Sequence, residues 1–216
     1  MKLIPDKEII KIPIKDNKEK LVHVRKYVPN IVIRPCLYIK KEGNSTCKKA
    51  CLIRESVGKR LKVAQDLLPK EYRLMLRCGY RPISLQKKHY IEERNRLKKK
   101  NPSWSKEKLN TEMDMRIAPL YIVPPHPTGS AVDITIIDNK YHQLDMGTKL
   151  GEFNKEKTFT YSKNISNLAK ENRKLLINVM EKAGFVNYPT EWWHWSYGDR
   201  YWAAVKKEKI SIYDKI

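Results

Sequence analysis

A chain of 216 residues, 41% of them hydrophobic and with aromatics throughout, is long enough to bury a core, which excludes wholesale disorder. Its longest uncharged apolar runs, such as Ile117 to Pro125, are too short to span a bilayer. The formal charge of +21 would attract nucleic acid, anionic membrane or acidic wall polymer, but the lysines are spread along the chain (Lys15 to Lys20, Lys98 to Lys100, Lys206 to Lys209), so the charge speaks of association and not of fold.

In chain order, residues 1 to 30 read as an irregular or short-stranded segment broken at Pro5, Pro13 and Pro29. Asp6, Lys7, Glu8 and Lys11 interrupt its apolar residues, so no signal peptide is read there. From Glu55, Val57, Leu61, Ala64, Leu67 and Leu68 recur at helical spacing until Pro69 stops the run. Tyr72, Leu74 and Leu76 then alternate with Arg73, Met75 and Arg77 as a strand, which ends in the bend Gly79-Tyr80-Arg81-Pro82. Residues 84 to 116 read as helical and very basic, interrupted near Asn101-Pro102, and the basic part from 94 to 116 suits a lid or a partner surface. Ala131 to Ile137 is β-branched and reads as a buried strand. Asn167 to Ala183 reads as an amphipathic helix, with Leu168, Leu175, Leu176, Val179 and Met180 on one face and Gly184 at the C-cap position. Phe185 to Tyr188 and Trp192 to Trp195 suggest two closing strands. Without a regular βαβ rhythm, this order predicts an α+β fold in a single domain over 1–216, with a mostly antiparallel central sheet flanked by helices.

The cysteines, Cys36, Cys47, Cys51 and Cys78, are too few for a disulfide scaffold and lack paired zinc spacing, so reduced thiols are expected. A Cys47–Cys51 or Cys36–Cys51 bridge is the alternative. Reduced thiols without a signal segment point to the cytoplasm.

Two stretches carry the chemistry. In His126-Pro-Thr-Gly129-Ser130-Ala131-Val-Asp133, a histidine approached by prolines precedes an aspartate among β-branched residues, where a buried carboxylate needs a compensating partner. In Glu191-Trp192-Trp193-His194, an acid and a histidine three apart can aim at one point. Together they supply two imidazoles and one carboxylate as metal ligands, plus one spare carboxylate to serve as general base. Which carboxylate is the ligand does not follow from composition.

These stretches, preceded by Gly79-Tyr80-Arg81-Pro82 and with Asp145-Met146-Gly147 between them, resemble the zinc D-alanyl-D-alanine dipeptidases, the VanX-type branch of the D,D-peptidase metallopeptidases. The resemblance covers most of the chain and fails in the first thirty residues and around 94 to 116. It implies the hedgehog-like D,D-peptidase architecture, one zinc ion per chain held by His126, Asp133 and His194, Glu191 as catalytic base, and Arg81 as the arginine that stabilises the transition state. It implies hydrolysis of the small dipeptide D-alanyl-D-alanine to two D-alanines. In the family an acid shortly after the Met-Gly stretch meets the substrate ammonium. Here Glu152 is the candidate, one position later than that pattern, and Ser130 is a candidate hydrogen-bonder beside the metal loop. A peptidoglycan D,D-carboxypeptidase or endopeptidase would use the same zinc site. A basic nucleic-acid-binding protein with structural zinc rests on charge alone, and no specific nucleic-acid partner is expected. His23, His89 and His142 read as surface residues, and Asp199 and Arg200 as a local salt bridge.

Overall fold

The computed structural model describes residues 3–35, 37–152, 154 and 156–216. The N-terminal segment holds a short helix α1 (Asp6–Ile9) and the strands β1 (Leu21–His23) and β2 (Val32–Ile33). Helices α2 (Leu37–Lys41) and α3 (Asn44–Lys49) lead to β3 (Leu52–Arg54), α4 (Glu55–Asp66) and β4 (Tyr72–Cys78). The basic stretch forms α5 (Ile83–Lys100) and α6 (Lys106–Asp114), divided at Asn101-Pro102 as expected. Then come α7 (Pro125–Thr128), β5 (Ala131–Asp138), α8 (Asn167–Lys182), β6 (Val186–Asn187), β7 (His194–Ser196) and α9 (Arg200–Lys206).

The central sheet has the order β2-β4-β5-β7-β6. Only β2 and β4 run parallel; the other neighbours are antiparallel. A second, two-stranded sheet pairs β1 with β3. The mixed architecture is the expected α+β class. The long β5 is buried along both faces, consistent with its β-branched sequence. One face of the sheet packs on α4 and α8 through Val57, Leu61, Leu176, Val179 and Met180, with Trp192 and Trp195 completing the same core. Leu168 departs from the predicted face of α8: it is 63% exposed in the first turn, and Ala169 takes the buried place.

α5 and α6 form an antiparallel pair around Leu97, Leu109, Met113 and Ile117, a small core separate from that of the sheet. Arg173 of α8 is buried, and its guanidinium donates to the carbonyls of Met146, Lys157 and Phe159. One side chain thereby ties down the long connection after β5. Cys47, Cys51 and Cys78 are thiols; Cys36 lies outside the described residues. Among the described residues no helix is long and apolar enough to cross a membrane.

Candidate active site

Register positions the site. Asp133 on β5 stands opposite His194 on β7 and opposite Cys78 on β4, so the three form one row across the sheet. Asp133 and Ile134 point to opposite faces, yet Leu76 and Cys78 are their partners on β4. The irregularity at Arg77 makes this possible: one extra residue lets Cys78 join the Asp133 face while Leu76 stays in the core. The turn between β6 and β7 adds Glu191. The Asn187 side-chain amide donates to the carbonyls of both Glu191 and His194, at 3.1 and 3.0 Å, and fixes that turn.

His126 arrives from α7, which ends on Gly129 in the left-handed region at φ +74°. That conformation strains any other residue, and a side chain there would begin 2.5 Å from the tip of Leu21. Gly79 is required for space: its amide donates to the Ala50 carbonyl at 2.7 Å, and a side chain would begin 2.5 Å from the Leu52 carbonyl. The Gly79 carbonyl lies 2.7 Å from His126 Nδ1. A carbonyl can only accept, so Nδ1 carries the proton and Nε2 presents its lone pair to the site.

Around Asp133 Oδ1, His126 Nε2 stands at 3.3 Å and His194 Nδ1 at 3.2 Å. Glu191 Oε2 is 3.9 Å from the same His194 nitrogen, and Arg81 Nη2 is 3.7 Å from Asp133 Oδ2. The two imidazole rings meet edge to face at 4.9 Å. All five predicted central residues converge. Burial opposes the charge of Asp133, but His126 and His194 override it and hold the carboxyl well below the usual carboxylate range. Burial drives Glu191 up to about 7, with His194 and Arg81 opposing the rise and Asp133 adding to it. Burial likewise lowers His126; His194 is raised, because the hydrogen bond and charge of Asp133 outweigh its burial.

Other expectations fare differently. Ser130 is fully buried, with its hydroxyl 2.8 Å from Asp199 Oδ2 and 3.2 Å from the Pro125 carbonyl. Asp199 also caps α9 and does not pair with Arg200, which donates to the Ile12 carbonyl, so the expected local salt bridge is replaced by two separate anchors. Glu152 is exposed; the cavity wall uses its neighbours Leu150 and Gly151. His89, expected at the surface, lines the cavity, where burial and the nearby Arg81 push it down to about 4. The sequence reading missed Cys78, whose sulfur lies within 4.8 Å of ligand atoms of His126 and Asp133. It also missed Gln86, which accepts from Arg81 Nη1 at 2.9 Å and so aims that guanidinium. Their signal was position: Cys78 stands three residues before Arg81, and Gln86 lies in the first turn of the helix that follows it.

The site opens into a cavity of about 420 Å³. Its wall combines the Asp133 row with α5 through His89, Glu93 and Arg96, with Arg116 just after α6, and with α1 through Asp6 and Ile9.

Two imidazoles, a buried carboxylate between them, a second carboxylate raised toward neutrality and a fixed guanidinium, all in one cleft, define the chemistry of a metal-dependent hydrolase. Residues 18–212 match the Peptidase M15 family, described as D-ala-D-ala dipeptidase, and the chain belongs to that family. It is similar to a D-alanyl-D-alanine dipeptidase of Synechocystis sp., 35% identical over 103 residues, which are 43% of this chain and 42% of that protein. A D-alanyl-D-alanine dipeptidase of Escherichia coli is 38% identical over 69 residues, 32% of this chain and 35% of its own. One from Enterococcus faecium is 30% identical over 141 residues, 62% of this chain and 67% of its own. The chain thus spans less than half the length of the first two relatives.

Proposed function

We propose that this protein hydrolyses D-alanyl-D-alanine to two D-alanines, with a zinc ion held by His126, Asp133 and His194. The observation that carries the reading is the meeting of His126 Nε2 and His194 Nδ1 on one oxygen of Asp133, with Glu191 and Arg81 beside them. This donor set fits the metal. Two neutral imidazoles and one carboxylate leave a coordination position open, as catalytic zinc requires, and the proton on His126 Nδ1 keeps Nε2 available. When bound, zinc polarises the scissile carbonyl and brings the pKa of a water ligand down to about 7.

Glu191 takes a proton from the attacking water and passes it to the leaving amine as the C–N bond breaks. Its carboxyl at about 7 suits both roles near neutral pH. Negative charge develops on the carbonyl oxygen during attack, and Arg81 opposes it from a fixed position. Gln86 and the Cys78 sulfur hold that guanidinium at 2.9 and 3.6 Å, so little reorganisation is needed at the moment of reaction. Ser130 supports the site through Asp199 instead of contacting substrate. The thiol state of Cys47, Cys51 and Cys78 suits a reducing compartment, in keeping with the cytoplasm.

Incubation of the zinc-loaded protein with D-Ala-D-Ala tests the reading. Two D-alanines should appear per dipeptide, and Glu191→Ala should slow release about 10²- to 10⁴-fold. No release by the wild type, or undiminished release by the variant, removes it. Faster cleavage of an amine-blocked stem peptide would transfer the site to the carboxypeptidase reading.

A further inference from the structure

The row across the sheet ends in sulfur. Cys78, His126 and Asp133 offer ligand atoms that all lie within 4.8 Å of one another, and Asp133, Glu191 and His194 do the same. Asp133 therefore stands between two donor groups, one toward β7 with oxygen and nitrogen ligands and one toward β4 that adds a thiol. The proposed zinc set draws on His126, Asp133 and His194 and uses the sulfur only to hold Arg81.

The second group is built as firmly as the first. The extra residue at Arg77 turns Cys78 onto the Asp133 face. Cys78 is 1% exposed, and Ile39, Ala50 and Cys47 pack around it. The neighbouring Gly79 carbonyl takes the Nδ1 proton of His126, so Nε2 is the nitrogen that can bind an ion. Metal–ligand bonds of about 2.0–2.3 Å put donors on one ion roughly 3.5 Å apart, so shifts of about 1 Å close this group on a cation. The cavity gives access, since Arg81, His126 and Asp133 all line it.

Arg81 decides which ion enters. Its Nη2 lies 3.6 Å from the sulfur and 3.7 Å from Asp133 Oδ2, while its Nη1 donates to Gln86. An ion held by Cys78 and Asp133 must displace that end of the guanidinium, because two cations repel strongly at such range. Zinc gains by staying with the imidazoles, where Arg81 keeps its place. An ion with a stronger preference for sulfur gains more from the thiolate and overcomes that cost.

We propose that Cys78, His126 and Asp133 form an inhibitory seat for a thiophilic divalent cation, for which cadmium is the probe. The thiol gives its proton to solvent as the metal–sulfur bond forms, so no oxidant or reductant takes part. The ion takes His126 and Asp133 from zinc and moves Arg81 from the position that opposes the developing oxyanion. One binding event thus disables two parts of the proposed machinery. The seat goes beyond the proposed function; only its exclusion of zinc rests on that reading.

The chain holds four cysteines, so replacing Cys36, Cys47 and Cys51 by serine leaves Cys78 as its one thiol. Cadmium chloride titrated into this metal-free protein should raise the ultraviolet thiolate-to-cadmium charge-transfer band, saturating at one equivalent. Adding His126→Ala should weaken that uptake at least about 10-fold, whereas adding His194→Ala should leave it within about 2-fold. One equivalent of zinc supplied first should move the midpoint to higher cadmium, because both ions need His126 and Asp133. In the otherwise unchanged chain, Cys78→Ser should remove one equivalent of thiolate-bound cadmium, a comparison that does not depend on the triple substitution. No band, a band indifferent to His126→Ala or lost with His194→Ala, or a midpoint unmoved by bound zinc overturns the proposal. Release of D-alanine by the zinc-loaded wild type is scored separately. A protein that shows the band and cleaves nothing removes the proposed reaction alone. One that cleaves the dipeptide and shows no band removes the seat alone.

Discussion

On the floor of the cavity Asp133 meets His126, His194 and Arg81, all within 3.7 Å, whereas at the rim Asp6 and Arg77 meet no opposite charge among the described residues. The floor is charge-balanced by its own residues and sits on paired strands, where register and a fixed turn set each side chain. The rim hangs on a four-residue helix and an extra strand residue. The difference marks the site of the chemistry. Groups that act on a bond must be held before substrate arrives, because preorganisation lowers the barrier.

This contrast can be broken at several points. The largest effect is expected at Arg81: Arg81→Ala should lower kcat about 10²- to 10³-fold, since it removes the donor facing the developing oxyanion. Its KM should change much less than its kcat, and a loss confined to KM would contradict that role. A smaller effect concerns stability. In the metal-free protein Glu191 has its folded pKa raised from 4.5 to about 7 by burial. A raised carboxyl contributes fully below its unfolded pKa, and that contribution is lost as pH climbs through the folded value. The metal-free protein should therefore lose up to about 3 kcal/mol between pH 4.5 and pH 8 from this group. Glu191→Gln should abolish that part of the slope and be the more stable protein at pH 8, while being the less active one when loaded. Denaturant unfolding at the two pH values checks this, and parallel pH profiles would show that Glu191 pays no burial cost.

Much of the floor was legible in the sequence, because HPTGSAVD and EWWHW each place unlike chemistry at short, fixed spacing. Strand β5 and helix α8 were legible too, from β-branched content and 3.6-residue periodicity. The rest depended on tertiary placement. Cys78 faces Asp133 only because of the extra residue at Arg77, which alternation alone cannot reveal. His89 sits between Lys88 and Tyr90 and looks like a surface residue, until the angle of α5 turns it toward the cavity. Asp6 lies in a segment broken by prolines, and its position follows from the anchoring of Ile9 and Ile12, which are far from α9 in sequence. Glu152 was a candidate only through the family resemblance, one position off its pattern, and the loop tied by Arg173 presents Leu150 and Gly151 to the wall instead.

The convergence of two imidazoles and one carboxylate on a single metal is the claim beneath everything else, and calorimetric titration of the metal-free protein with zinc tests it most directly. One equivalent should bind to the wild type, with Asp133→Ala and His194→Ala each removing that binding. A wild type that takes up no zinc, or variants that bind it as the wild type does, would contradict the account.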